Sequence, residues 1–305
     1  MDQLRNYAPI LLFCYKRLNT LKNTVDALLK NPECIDSDLY IFSDSFKDGK
    51  DQKAVEDVRE YIKTIGGFKN IYINISSENK GLANSIIGGV TQVLSLRDSV
   101  IVLEDDLATS TNFLSFMNFC LDKFKTESKV FSISGYSFNL GISSKYLYDL
   151  YFLNRGWSWG WATWKDRWET VDWKVADYSN FIQDKKAQKD FSKGGSDLNA
   201  MLRKQMSGKL DSWAIRWFFQ QYKQSGLTVY PTISKVNNEG FDADATHTSG
   251  SASRYTTKID SSGYKEFLTP ETIMNTKELQ YKFQQKMGLK ARIISKLRTI
   301  IKKLI

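Results

Sequence analysis

Val100-Ile101-Val102-Leu103-Glu104-Asp105-Asp106-Leu107 runs four apolar residues straight into three adjacent carboxylates. A short β-branched run of this kind reads as a strand buried on both faces, as in a parallel sheet. Glu104, Asp105 and Asp106 then fall at its carboxyl end, where open α/β sheets bind ligands. Three neighbouring carboxylates repel one another unless a cation sits among them. Hard oxygen donors favour Mg²⁺ or Mn²⁺, ions that keep water and phosphate oxygens in their shells. A solvated acidic turn is the alternative; the buried strand in front of it favours the metal–phosphate site.

Outward from this stretch, residues 9–14 (Pro-Ile-Leu-Leu-Phe-Cys) read as another buried strand, and 39–43, 71–75 and 130–134 as further strands. Apolar periodicity predicts helices over 20–30, capped by Thr20, over 51–65, from Lys80 to about Leu96, and over 112–125. The alternation predicts a mostly parallel, three-layer α/β sheet whose strand-end loops share one cleft with Asp106. The second half has a different texture. In Arg155-Gly156-Trp157-Ser158-Trp159-Gly160-Trp161-Ala162-Thr163-Trp164, Trp157, Trp159 and Trp161 alternate, whereas Trp161, Trp164 and Trp168 recur at helical spacing. That mixture predicts an extended entry into a helix. Helices are expected over 197–207 and 212–224, and strands over 146–153 and 229–236. Residues 237–250 read as a polar loop holding His247, the only histidine, and 258–276 as a loose connector.

With 305 residues, 42% of them hydrophobic and 25% charged, the composition is that of a soluble globular protein. The net charge of +9 is concentrated at one end. After Glu278 there is no acidic residue, and Lys282, Lys286, Lys290, Arg292, Lys296, Arg298, Lys302 and Lys303 leave the rest of the chain nearly neutral. A broad nucleic-acid surface on the body is therefore not expected. Leu289, Ile293, Leu297, Ile300, Ile301 and Leu304 recur at three- and four-residue steps among those cations. This is the pattern of an interfacial helix drawn to anionic lipid, too charged to span a bilayer. Cys14, Cys34 and Cys120 fit no metal spacing, Cys14 and Cys120 lie in apolar segments, and residues 1–8 have no apolar signal region. A cytoplasmic location, peripheral on the inner face of the membrane, is expected.

The first strand, the strand ending at Asp44, the Glu104-Asp105-Asp106 strand end with its Phe-rich following helix, and residues 231–234 resemble N-acetylglucosaminyltransferase I and its bacterial relatives. The resemblance covers residues 9–250. It implies the GT-A fold and an inverting, metal-dependent transfer of sugar from a nucleotide-sugar donor. That donor would be UDP-linked and of the N-acetylglucosamine type. The acceptor would be a glycan on a polyprenyl diphosphate, in bacterial surface polysaccharide synthesis. Residues 1–255 would form the catalytic domain, with 1–135 as the nucleotide-sugar half and 136–255 as the acceptor half. A connector (256–281) and the basic membrane-associating tail (282–305) would follow.

The resemblance also implies residue roles. Asp106 would bind the metal, Asp105 and Glu104 would hold the ribose and the metal's water shell, Asp44 would face the base, and Arg17 would lie near base or phosphates. Arg17 also fits a solvated loop charge, and Asp44 a turn cap. An inverting displacement needs one carboxylate to take the acceptor's proton. Asp211, in Lys209-Leu210-Asp211-Ser212-Trp213, is the candidate, one residue out of step with the family's base. It also fits an N-cap. His247 would complete the metal shell or donate to phosphate. Trp157 and Trp159 would stack on sugar faces or fill the junction between halves. A sugar-nucleotide nucleotidyltransferase would need a Gly-rich loop after the first strand, which residues 13–19 lack. A catalytically silent nucleotide-sugar-binding module is the other alternative.

Overall fold

The computed structural model describes residues 7–240, 255, 257–294 and 297. The chain forms β1 (Ile10–Cys14), α1 (Leu18–Leu28), β2 (Asp38–Ser43), α2 (Gln52–Ile62), β3 (Asn70–Ile75), α3 (Gly81–Leu94) and β4 (Ser99–Glu104) in the expected alternation. It continues through β5 (Leu107–Thr109), α4 (Phe113–Lys123), β6 (Val130–Ser134), β7 (Leu150–Leu153), β8 (Trp161–Trp164) and four short helices, α5 (Lys165–Glu169), α6 (Tyr178–Gln183), α7 (Lys185–Phe191) and α8 (Leu198–Met206). Then come α9 (Trp213–Lys223), β9 (Leu227–Pro231), β10 (Val236–Asn238) and α10 (Lys277–Met287).

Eight strands form one sheet in the order β3-β2-β1-β4-β8-β6-β9-β7, and β10 pairs with β5 in a small second sheet. The first four strands are parallel to one another, and β6 is parallel to β9. The remaining pairs, β4 with β8, β6 with β8 and β7 with β9, are antiparallel. Side chains alternate across the sheet and build two cores. Ile10, Leu12 and Cys14 face α1, α2 and α4; Leu11 and Phe13 face α3 and α9. The expected α/β class and three layers follow from this. All three cysteines are buried thiols.

Two expectations are corrected. Trp161 begins β8, not a helix, and this strand sits in the middle of the sheet, antiparallel between β4 and β6. Trp161 enters one core and Trp164 the other. A strand buried on both faces loses the period that would separate it from a helix. The helix begins only at Lys165. In α1, Thr20 is not the cap: the helix starts at Leu18, and the Thr20 hydroxyl donates to the Arg17 carbonyl at 3.2 Å.

Segment 257–276 packs closely against the body. Ile259 bridges to Ser234, Phe267 packs on Phe116, and the Asp260 carboxylate is buried against the Lys235 ammonium. α10 is docked through Leu279, Phe283 and Met287. Residues 289–294 continue as helix with Leu289, Ile293 and Ile294 exposed. No helix among the described residues is long and apolar enough to cross a membrane.

Candidate active site

The parallel strands bring Cys14, Ser43 and Glu104 to one edge of the sheet. β8 runs the other way, so the Trp157–Gly160 stretch enters at that same edge. Here Glu104, Asp105 and Asp106 leave β4 half-buried and adjacent. The Arg17 guanidinium, at the end of β1, lies 2.9 Å from Asp106 Oδ2, and the Tyr15 backbone N–H donates to Asp105 Oδ2 at 3.1 Å. Burial and the Asp106 charge push the Asp105 carboxyl up to about 7, against the Tyr15 N–H and Arg17. Burial, Asp106 and Asp105 raise Glu104 well above the ordinary carboxylate range. Both shifts mean that the three carboxyls resist ionising together at this strand end, and a cation bound there would favour their charged forms.

Among the described residues no three His, Cys, Asp or Glu side chains converge as a metal site. A diphosphate-bound Mg²⁺ or Mn²⁺ needs only one or two protein carboxylates. Asp106 and its neighbours match that donor set by their oxygen chemistry. His247 lies outside the described residues.

The small β10–β5 sheet places Gly240 on the carboxylates. Glu239 N–H donates to the Asp106 carbonyl at 2.8 Å, and a β-carbon on Gly240 would meet Asp106 Oδ2 at 1.9 Å. Asp44, at the end of β2, is committed to its own chain. Its Oδ1 accepts from Ser45 N–H and Lys80 N–H, and its Oδ2 from Gly81 N–H, each at 2.9 Å. It thus holds the loop that starts α3. Gly81 itself has φ +72°, a conformation that favours glycine.

Asp211 approaches this loop from the other side, its Oδ2 4.0 Å from where a Gly81 β-carbon would stand. It is not the helix cap: the Ser212 hydroxyl accepts from Ile215 N–H and caps α9. The Asp211 side chain is 64% exposed, with its Oδ1 3.6 Å from Arg216 Nη2. Trp213 stacks on Trp161 at 4.8 Å and fixes the start of α9 against β8. Trp157 and Trp159 are buried, packed with each other and with Tyr136 and Tyr255, which supports their packing role. The Trp157 indole N–H is buried with no hydrogen-bond partner among the described residues.

Sequence reasoning did not single out Tyr15, Gly81, Arg216 or Gly240. The roles of Tyr15, Gly81 and Gly240 depend on neighbours far away in the chain, whereas Arg216 meets Asp211 five residues before it. An open cleft of about 1160 Å³, bordered by Pro9, Asp98, Ser99 and Arg167, lies at the opposite ends of these strands. Volume therefore does not mark the site; the convergence of charged strand ends does.

No family model matches the sequence, and no curated protein matches it. Among solved structures, a mannosyltransferase from Pyrobaculum calidifontis in complex with GDP-Man and Mn²⁺ aligns with TM-score 0.37 and 10% identity, over 54% of this chain and 47% of that one. The chain thus spans about half the length of that protein. Mouse xyloside xylosyltransferase 1 aligns with TM-score 0.37 and 10% identity, over 70% and 80% of the two chains. A nucleotide-diphospho-sugar transferase structure from Desulfovibrio desulfuricans G20 aligns with TM-score 0.31 and 13% identity, over 58% and 75%.

Proposed function

We propose that the chain is a GT-A-type glycosyltransferase that moves a sugar, with inversion, from a nucleotide-sugar donor to an acceptor hydroxyl. The observation that carries this reading is the Glu104-Asp105-Asp106 triplet at the end of buried β4, with Arg17 on one side and Asp211 across the α3 loop. Asp106 and His247 would hold Mn²⁺ or Mg²⁺. When bound, such an ion supplies Lewis-acid stabilisation of the diphosphate leaving group. Arg17 adds positive charge beside the phosphates. Asp105 and Glu104 border the ribose, and Asp44 shapes the base side through the loop it fastens. Trp157 and Trp159, packed on each other and on Tyr136 and Tyr255, back the sugar side of the site.

The acceptor oxygen bonds to the anomeric carbon as the bond to the diphosphate oxygen breaks, and that oxygen keeps the electron pair. The transition state is oxocarbenium-like, by analogy with glycoside hydrolysis. The acceptor's proton passes to Asp211, whose exposed carboxylate is within reach of an incoming hydroxyl. Arg216 keeps a positive charge at the carboxylate's back. The donor is a UDP sugar of the N-acetylglucosamine type. The acceptor is a polyprenyl-diphosphate-linked glycan of bacterial surface polysaccharide, reached from the inner face of the membrane with the basic tail as anchor.

Calorimetry with nucleotide sugars, with and without Mn²⁺, followed by a donor-hydrolysis assay, tests this reading. Mn²⁺-dependent binding with hydrolysis is expected. Binding without hydrolysis or transfer would make the chain a silent nucleotide-sugar module, and no binding would overturn the proposal.

A further inference from the structure

Among the described residues β3 is an edge strand, and its own six residues carry none of the usual protection. Edge strands expose unpaired N–H and C=O groups, and chains blunt them with Lys, Pro, a bulge or a covering element. β3 keeps unbroken register with β2 along all six residues, and among the described residues no strand lies on its other side. Its sequence, Asn-Ile-Tyr-Ile-Asn-Ile, has no charge and no Pro. Tyr72, Ile73 and Ile75 are 43, 38 and 48% exposed. The strand at the opposite edge, β7, is buried throughout.

Residues Asn70-Ile71-Tyr72-Ile73-Asn74 are a palindrome. When two copies of a strand pair antiparallel about a two-fold axis, each residue faces its mirror position in the other copy. With the axis at Tyr72, Asn70 faces Asn74, Ile71 faces Ile73, and Tyr72 faces Tyr72. Like side chains meet across residues 70–74, Ile75 faces Lys69 just outside the palindrome, and no like charges oppose. The adjacent two-fold registers, centred on Ile71 or Ile73, would set Tyr72 against an asparagine. The Tyr72 ring already lies stacked on Tyr40, centroids 4.6 Å apart and planes 20° apart, so little side-chain freedom remains to be lost.

We propose that β3 joins two copies of this chain about a two-fold axis at Tyr72, merging two eight-stranded sheets into one. The carboxylate edges of the two copies then point in opposite directions, so both sites stay open.

Sedimentation velocity of the full chain should show a concentration-dependent equilibrium between the 35.1 kDa monomer and a species of twice that mass. Tyr72→Lys and Tyr72→Glu, each setting like charges face to face, should be monomeric with unchanged circular dichroism. Their equimolar mixture should regain the dimer. Tyr72→Cys should form a covalent dimer on mild oxidation, because directly opposed β-carbons lie about 4.5–5.5 Å apart and the native thiols are buried. Ile71→Cys should cross-link only when mixed with Ile73→Cys. A wild-type chain that stays monomeric at every concentration, a Tyr72→Lys chain as dimeric as wild type, or folded Tyr72→Cys that does not cross-link would overturn the proposal.

Discussion

Gly240 and Asp106 stand so close that a β-carbon on Gly240 would lie 1.9 Å from Asp106 Oδ2 and 3.0 Å from Arg17 Nη1. The backbone of residue 240 is therefore one wall of the carboxylate site. A methyl group there must push the Asp106 carboxylate away from its present position. A displacement of about 1 Å in a reacting constellation can cost on the order of 10²-fold in rate. Gly240→Ala should lower kcat by about that factor while thermal unfolding stays within a few degrees of wild type. Steady-state kinetics alongside calorimetric melting checks both halves.

Asp106→Ala removes the carboxylate assigned to the metal. An electrophilic ion is worth several kcal/mol of charge stabilisation, so turnover should fall by roughly 10³-fold or more. Mn²⁺ should no longer strengthen nucleotide-sugar binding in calorimetry. Wild-type protein in chelator should be equally inactive. A rate in chelator close to the wild-type rate would remove the metal from the mechanism.

For Asp211→Asn the expectation is a split. The side chain sits across the α3 loop from Asp44 and is largely exposed, so donor affinity should be retained. The loss of a general base should cut kcat by roughly 10²–10⁴-fold. Survival of activity here, with another carboxylate variant dead, would move the proton acceptor to that residue.

A different kind of charge pair holds the segment after Tyr255. Lys235 and Asp260 form a salt bridge with each side chain only 6% exposed. The Asn112 amide donates to Asp260 Oδ2 at 2.9 Å. Burial works to raise the Asp260 carboxyl, but Lys235, Asn112 and Ser262 outweigh it and hold the group well below the ordinary carboxylate range. A depressed folded-state pKa contributes stability in full above the unfolded value, about 3.9 for Asp, and loses it as pH falls through the lower folded value. Asp260→Asn leaves Lys235 buried and uncompensated, which should cost about 3–5 kcal/mol near neutral pH. Urea unfolding should show that gap at pH 7 and a narrowing gap once the pH drops below about 3.9.

The elements that position this site differ in how far they could be read from the chain. β4 announces itself because four buried apolar residues end abruptly in three charges, and β1 and β2 are likewise apolar runs that give way to polar residues. β8 does not, because Trp161 and Trp164 enter opposite cores and erase any period. Helices α6 and α7 were not foreseen; their buried contribution is little more than Phe181 and Phe191. The order of segment 257–276 rests on Asp260 finding a lysine 25 residues earlier, a pairing with no local signature. The same holds within the site: Asp211, Arg17 and Asp106 could each be singled out as residues, whereas Gly240 meeting Asp106 depends on β10 pairing with β5.

The fold sets where the basic C-terminal segment can be cut without disturbing the core. A chain ending at Glu278 would strip Leu279, Phe283 and Met287 out of the core, confounding loss of an anchor with loss of stability. A chain ending at Gly288 keeps them. What it removes begins with Leu289, Ile293, Ile294 and Leu297, all exposed, together with Lys290, Arg292, Lys296, Arg298, Lys302 and Lys303. Each basic residue near an anionic bilayer is worth about 1 kcal/mol, and the attraction is screened by salt. Full-length protein should float with anionic vesicles at low salt and stay behind at high salt. The chain ending at Gly288 should stay behind under both conditions and keep its donor hydrolysis. Equal flotation of the two would place the membrane contact on the body of the protein.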